Sequence, residues 1–386
     1  MGSNRFMSID DKIIKFVKSI RCDVNTSELT EDKQTKLKLL FDDCLFVLVN
    51  KYVEEYMPSL IICDTYNKYS SVLPVKLDAN SYKYYILYDY HLSQINRLFD
   101  ALYFDNKDSE HDVYKLSCQL FAEDALLENK DILVSYYGLN KLALGSYDVN
   151  IEEQEELDFI IDIQDRYVIG HELGHWIYEV YKSNESIFNI NFDVEWGQFL
   201  KNIKAILCDL YEQYEKIFKL EEYIELLHEQ RKLVNENDKL FEECFADSIA
   251  YAMIFSHVAE NYSDNLNRRL LAGQALFLEM MNLQLLAMQH MAISEESFES
   301  STSIRIGFLR NYMRLYFEGN EKKYDEMLEE TVIRYEERIT NIMLECFGEL
   351  EDEGDNIYDA LIDVDGKLNF DKLLELNDVY QNSDLI

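Results

Sequence analysis

Apolar residues recur three and four positions apart along most of the chain, which is the spacing of one face of an α-helix. The two prolines are Pro58 and Pro74, so no later residue breaks a helix by lacking a backbone donor. Glycine, which also disfavours helix interiors, occurs 12 times in 386 residues. The pattern predicts helices at 10–20, 31–56, 92–103, 114–127, 152–182, 199–214, 220–235, 238–259, 266–289, 303–317 and 322–346.

Two segments have the composition of β-strands. Residues 82–90 are dense in tyrosine, isoleucine and leucine, and residues 132–144 mix β-branched and aromatic side chains around Gly138. Gly145 closes the second segment. The sequence therefore predicts a small sheet ahead of the main helices, in a mainly α fold of the α+β class.

The charge of the chain is strongly negative. It has 74 Asp and Glu against 37 Lys and Arg, a formal net charge of -37 and a sequence pI near 4.4. Such a surface repels phosphate backbones, which excludes nucleic acid as an expected partner. It favours cations and basic ligands, but in many proteins it does no more than maintain solubility.

Cysteine usage and the N-terminal sequence bear on the compartment. Seven cysteines stand singly, with no Cys-x-x-Cys pair, which does not fit a disulfide framework or a thiolate zinc site. Residues 1–21 contain no apolar core followed by a cleavage site, because Asp10 and Asp11 interrupt it. The apolar runs at 45–49 and 270–286 are short or contain polar residues. We expect a cytoplasmic protein with no membrane partner.

The pattern His-Glu-x-x-His occurs at His171-Glu172-Leu173-Gly174-His175, inside the predicted helix 152–182. Histidines four apart lie on one helical face, about 6 Å apart along the axis, so both imidazoles can reach one metal ion. Glu172 can take a proton from metal-bound water and pass it to a leaving amine. Gly174 is expected to leave room beside the metal. The alternative interpretation is an ordinary helix with two incidental histidines.

A catalytic zinc ion usually has three protein ligands, so a third must come from elsewhere. The metzincin pattern would place a glycine and a histidine where this chain has Tyr178 and Tyr181, which excludes that class. His228 and His257 are candidates on later helices, although each has an ordinary structural alternative. The stronger candidate is Glu243.

Glu243 and Asp247 share a helical face by the same spacing of four. Glu243 could complete the ligand set, and Asp247 could accept a hydrogen bond from the histidine nitrogen that faces away from the metal. Ala246 and Ala250 would let this helix approach the first one closely. Acidic residues four apart are also common on the surface of an acid-rich protein, which is the alternative interpretation.

The two segments together resemble the gluzincin branch of the zincin metallopeptidases. In that branch the two histidines and the glutamate bind Zn²⁺, the glutamate of the motif is the general base, and the later aspartate supports a histidine. The resemblance covers two short segments only. Glu243 follows His175 by 68 positions, a separation similar to that of compact intracellular members such as Lit-like phage-exclusion peptidases and ImmA-type regulator-cleaving peptidases. A role in phage defence is therefore only an analogy.

The resemblance also implies an organisation of the chain. We expect a zincin-like core at 111–260, between an N-terminal mainly helical region at 1–110 and a C-terminal helical region at 261–386. An edge strand ahead of the motif helix would bind substrate as an added strand, and 142–147 or 82–90 could supply it.

Hydrolysis also needs a donor for the developing oxyanion. Arg305 is the first candidate, with Arg310 beside it, although such arginines mostly form surface ion pairs. His290, Tyr178 and Tyr181 are the alternatives. The sequence predicts a zinc peptidase with a protein or peptide substrate, and it leaves open a regulatory partner or self-association through the helical segments. The rival hypotheses are a catalytically silent sensor or interaction module that retains the fold, and a metal-free helical scaffold.

Overall fold

The computed structural model describes residues 12–16, 29–49, 57–77, 82–105, 107, 110–181, 238–293 and 301–361. Residues 12–16 are helical. The strands are β1 (Ser59–Cys63), β2 (Ser71–Lys76) and β3 (Tyr82–Asp89). The longer helices are α1 (Glu31–Leu48), α2 (Tyr90–Phe104), α3 (Glu110–Leu127), α4 (Asp131–Ala143), α5 (Gln154–Tyr181), α6 (Asp238–Tyr262), α7 (Leu266–Ile293), α8 (Ser301–Tyr316), α9 (Glu321–Tyr335) and α10 (Asn341–Leu361). A π-helical turn, Glu336–Thr340, joins the last two.

The predicted fold class is confirmed: the described chain is mostly helical, with a small mixed sheet. The helices expected at 199–214 and 220–235 lie outside the described residues. The strand expected at 132–144 is wrong, because this segment forms helix α4. Leu133, Tyr136 and Tyr137 are buried together on one side of that helix, so packing at helical spacing outweighs the β propensity of its residues.

The three strands are ordered β1-β3-β2. The central strand β3 runs parallel to β1, with Ile61 opposite Leu87, and antiparallel to β2, with Pro74 opposite Tyr84. Proline is tolerated in β2 because that strand lies at an edge of the described sheet. One face carries a buried cluster that packs against the helical residues 12–16: Ile61, Cys63, Tyr85 and Leu87, with Ile13 and Ile14.

Neither segment expected to form a substrate-binding edge strand does so. Residues 82–89 form the central strand, and residues 142–147 comprise the end of α4 and the coil that follows it. Within the described part of the chain, the edges belong to β1 and β2, which sequence patterning missed because both are short.

The chain divides into two compact units. The first contains the described parts of Met1–Arg97, Gln154–Asn282 and Ser300–Thr331, and the second those of Leu98–Glu153, Leu283–Glu299 and Val332–Ile386. In the second unit, the Tyr137 hydroxyl donates to the Leu350 carbonyl at 2.9 Å, which ties α4 to α10. Each unit combines segments far apart in the sequence. The consecutive regions 1–110, 111–260 and 261–386 stay a prediction.

Helices α5 and α6 of the first unit approach each other closely through small residues. A Cβ atom added at Gly174 would lie 2.6 Å from the Cα atom of Ala246 and 3.0 Å from its carbonyl oxygen. One added at Gly170 would lie 3.1 Å from the Cα atom of Ala250. Gly174 therefore makes room for the backbone of α6. The expected space beside a metal stays a prediction. This close approach brings side chains from both helices within reach of one point.

Helix α8 is held against α6 by aromatic rings. The ring of Tyr251 lies 5.4 Å from that of Tyr312, measured between centroids, and Phe255 stacks on Tyr316 at 3.8 Å. Burial of such rings contributes strongly to packing. These contacts place the last turns of α8 beside residues 251–255 of α6.

One helix in the described part of the chain, at Leu266–His290 in α7, is long and apolar enough to cross a membrane. In its most apolar window 61% of the residues are buried inside the protein. A buried helix of a protein core has the same composition, so this helix is weak evidence for a membrane span.

Candidate metal centre

His171 and His175 of α5 and Glu243 of α6 present their donor atoms to one point. The Nε2 atoms of the two histidines are 3.1 Å apart. His171 Nε2 lies 3.3 Å from one carboxylate oxygen of Glu243, and His175 Nε2 lies 3.6 Å from the other. All the donor atoms fall within 4.8 Å of one another. Within the described residues, these three form a candidate metal site.

The separations of these atoms test whether a metal would fit. A tetrahedral zinc ion with bonds of 2.0–2.1 Å has ligand atoms about 3.3 Å apart. The observed distances of 3.1, 3.3 and 3.6 Å bracket that value. Two imidazole nitrogens and a carboxylate oxygen are also a donor set that zinc accepts. The three residues therefore fit a divalent metal ion of this type.

A carboxylate lies beside the outer nitrogen of each histidine. His171 Nδ1 is 2.9 Å from Asp247, a close ion-pair contact that is not aligned as a hydrogen bond, and His175 Nδ1 is hydrogen-bonded to Glu242 at 2.8 Å. Such partners hold a ring with its other nitrogen toward a metal. The sequence predicted the position of Asp247 but missed Glu242. In the sequence, Glu242 is marked only by its position next to Glu243. Adjacent side chains on a helix point in different directions, so this position does not predict a contact with His175.

Arg305 reaches the site from α8 and binds both acidic residues of α6. Its Nε and Nη2 atoms each donate to one oxygen of Asp247 at 2.8 Å, a bidentate pairing. Its Nη1 atom lies 3.1 Å from Glu243. The side chain is 12% exposed. The role of oxyanion donor expected for Arg305 stays a prediction, while its contacts are those of a counterion for the carboxylates.

Tyr167, one turn before His171 on α5, was also missed. Its hydroxyl donates to Asp247 at 2.6 Å and accepts from Arg305 at 2.9 Å. The side chain is buried. A tyrosine four residues before the motif carries no distinctive signal, because in sequence it is an ordinary member of an apolar helical face.

The pKa values show the electrostatic balance among these groups. Burial lowers the pKa of His171, but its contacts with Asp247 and Glu243 outweigh burial and raise it to about 9. Burial raises the pKa of Glu243, but His171 and Arg305 outweigh it and lower it to about 2. The same neighbours hold the pKa of Asp247 well below its usual range. The pocket thus stabilises positive charge between its donor atoms, and a divalent cation provides such charge.

Glu172, the predicted general base, is 7% exposed on α5 beside the ligand pair. Burial raises its pKa, and the charges of His171, His175 and Glu243 also act on it. This position brings a buried carboxylate close to the donor atoms.

The remaining candidates are not members of the ligand group, or they lie outside the described residues. The Nδ1 atom of His257 lies 3.2 Å from the side-chain nitrogen of Asn261, and both residues are on α6. His257 is not a member of the ligand group. The Tyr178 ring packs 5.8 Å from that of Phe245, and Arg310 is exposed. His290 belongs to the second unit, 3.0 Å from Asp124. His228 and the side chain of Tyr181 lie outside the described part of the chain.

Comparisons with protein-family models, with curated proteins and with solved structures give no match.

Proposed function

We propose that the protein is a zinc-dependent peptidase that hydrolyses peptide bonds of a protein or peptide substrate. The observation that carries the proposal is the convergence of His171 Nε2, His175 Nε2 and Glu243 at tetrahedral spacing. Glu172, next to His171 in the chain, adds a buried carboxylate. Two imidazoles, one carboxylate and a neighbouring acid are the groups that metal-assisted hydrolysis of an amide needs.

Each residue has a separate role in the proposed reaction. His171, His175 and Glu243 would hold the ion, which supplies Lewis acidity to a water molecule and to the substrate carbonyl. Glu172 takes a proton from the attacking water on a carboxylate oxygen and later donates it to the nitrogen of the leaving amine. Asp247 and Glu242 hold the two imidazole rings in orientation.

The sheet supports the choice of an extended peptide as substrate. Strand β2 is antiparallel to β3 at an edge of the described sheet. Burial raises the pKa of Tyr84 in β3, and Glu179, one turn after His175, raises it further. Both β2 and β3 contact α5, the helix that carries the motif. We propose that β2 aligns the peptide by main-chain hydrogen bonds.

The proposal also covers the charge of the substrate, the cellular location and the binding partners. The net charge of -37 favours basic substrate segments over nucleic acid. The single, scattered cysteines suit a reducing compartment, so we propose a cytoplasmic location. A regulatory partner or a second copy could bind the helical segments outside the candidate site.

The test compares the parent with Glu172→Gln, using Glu155→Gln as a matched control on an exposed part of the same helix. Each protein is expressed in cells, zinc is counted by mass spectrometry, and new protein N-termini are sought. We expect about one zinc per chain in all three and new N-termini that disappear only with Glu172→Gln. Equal cleavage by that variant contradicts the mechanism. Stoichiometric zinc without any cleavage would instead support a non-catalytic metal-binding module.

A further inference from the structure

The hydroxyl of Tyr167 lies at the centre of the contacts around Asp247. It donates to Oδ1 of Asp247 at 2.6 Å and accepts from Nη2 of Arg305 at 2.9 Å. The same Oδ1 atom is 2.9 Å from Nδ1 of His171. One carboxylate oxygen thus faces a tyrosine hydroxyl, a guanidinium nitrogen and an imidazole nitrogen.

The ring of Tyr167 is fixed in place. It is buried, it stacks on the ring of Tyr251 at 5.9 Å with an interplanar angle of 18°, and it lies 5.7 Å from the ring of His171. Tyr167 and His171 are four residues apart on α5, so they share one helical face. The hydroxyl therefore has little freedom to leave Asp247.

Arg305 and Tyr167 restrain Asp247 in different ways. The fork of Arg305 spans both oxygens and fixes the plane of the carboxylate. Tyr167 contacts the oxygen that faces His171, and it comes from the helix that carries His171. The hydrogen bond from Tyr167 therefore fixes the position of that oxygen relative to the imidazole ring of His171. Arg305 belongs to another helix, so its contacts alone do not fix this position.

We propose that Tyr167 is a positioning residue that holds Asp247 against Nδ1 of His171 and so keeps Nε2 of His171 directed at the metal. This inference rests on the proposed metal site. It concerns the orientation of a ligand and not a group that touches substrate.

The experiment uses Co²⁺ as the probe, because its absorption spectrum responds to ligand geometry. Co²⁺ is titrated into the metal-free full-length parent, Tyr167→Phe and Tyr251→Phe. The control removes an equally buried hydroxyl from the stacked ring, one that makes no hydrogen bond within the described part of the chain. We expect about 10-fold weaker binding and a shifted spectrum for Tyr167→Phe alone.

Urea unfolding verifies that each variant is folded. Should Tyr167→Phe not fold, 3-fluorotyrosine at position 167 retains ring and hydroxyl but changes the donor strength, and it should still shift the spectrum. A spectrum and an affinity equal to those of the parent overturn the role of Tyr167 and leave the metal site standing. A parent that binds no Co²⁺ overturns both proposals.

Discussion

Arg305 of α8 balances part of the negative charge around the candidate metal site. Glu172 and Asp247 are buried and the Glu243 side chain is 21% exposed. Arg305 contacts Glu243 and Asp247, as does His171, whose raised pKa makes it a second cation. Removing one partner of a buried ion pair leaves an uncompensated charge, which costs more than the pair contributes. The stability of the metal-free protein should therefore depend on Arg305.

We predict that Arg305→Met lowers the free energy of unfolding of the metal-free protein by about 3 kcal/mol. Urea unfolding measures the change, and Arg310→Met, an exposed arginine of the same helix, should change it little. Added Zn²⁺ should recover part of the loss, because the ion supplies positive charge next to Glu243. Unchanged stability in Arg305→Met would show that the fold does not need Arg305 as a counterion. It would favour the predicted role of Arg305 as a donor to the oxyanion of the reaction.

Spacing in the sequence was enough to identify the candidate ligands. Residues four apart on a helix face the same way whatever the rest of the fold does, so His171 pointed to His175 and Glu243 to Asp247. Glu242 and Tyr167 were missed for the opposite reason. Their contacts with the candidate ligands and with Asp247 depend on how α5 and α6 are rotated about their axes, and side-chain packing between helices decides that rotation.

Among the elements, the α5–α6 pair determines whether the ligands meet. Gly174 faces the backbone of Ala246 at a distance that no added methyl group can accept. A flexible side chain could move away, but a helix backbone cannot do so without separating the two helices. The distance between the histidine pair and Glu243 is set by this contact.

We predict that Gly174→Ala lowers the free energy of unfolding by about 2–3 kcal/mol, even though alanine favours helices. Gly138→Ala in α4 is the matched control, because nothing lies within 4 Å of an added Cβ atom there, and it should be neutral or stabilising by up to about 1 kcal/mol. Urea unfolding and Zn²⁺ titration test both. Full stability and full zinc affinity in Gly174→Ala would show that the helices can separate at no cost.

The small-residue contact could be anticipated in part. Ala246 and Ala250 suggested a close approach, but the sequence did not show that Gly174 and Gly170 face them. Segment 132–144 shows a further limit. Its tyrosines and aliphatic residues suit a buried face in a strand or a helix, and burial of Leu133 and Tyr137 at helical spacing decides between the two.

At the scale of the whole molecule, the free energy of unfolding should depend on pH through Asp165. Burial raises the pKa of this carboxyl to about 6, although Tyr88 and Ser93 donate hydrogen bonds to it at 2.6 and 2.8 Å. In the unfolded chain its pKa is near 3.8. Between these values the folded protein keeps a proton that the unfolded chain has released. The stability from this group is thus complete below pH 4 and is lost as the pH rises through 6.

We predict that the free energy of unfolding of the parent falls from pH 4.5 to 7.5, with on the order of 1–3 kcal/mol of the fall due to Asp165. Repulsion within an acidic protein adds to the fall, so the test compares variants. Asp165→Asn should have the shallower pH dependence, while Asp158→Asn, exposed on the same helix, should follow the parent. Parallel curves for parent and Asp165→Asn, from urea unfolding at each pH, would contradict the assignment.

The division into compact units was beyond sequence patterning. Helical periodicity shows which residues are buried but not against which distant segment, and both units are assembled from three separate stretches. The candidate site itself draws on α5, α6 and α8, which are adjacent in the first unit but far apart along the chain.

The order of the ligands along the chain has a consequence for protein synthesis. His171 and His175 leave the ribosome first, Glu243 follows 68 positions after His175, and Arg305 comes later still. A nascent chain that has exposed only the histidine pair offers a metal two ligands and lacks the carboxylate of Glu243. The three candidate ligands and Arg305 are together only once α5, α6 and α8 have all been made and docked, so we predict that a metal binds after synthesis of these helices rather than to the emerging histidine pair.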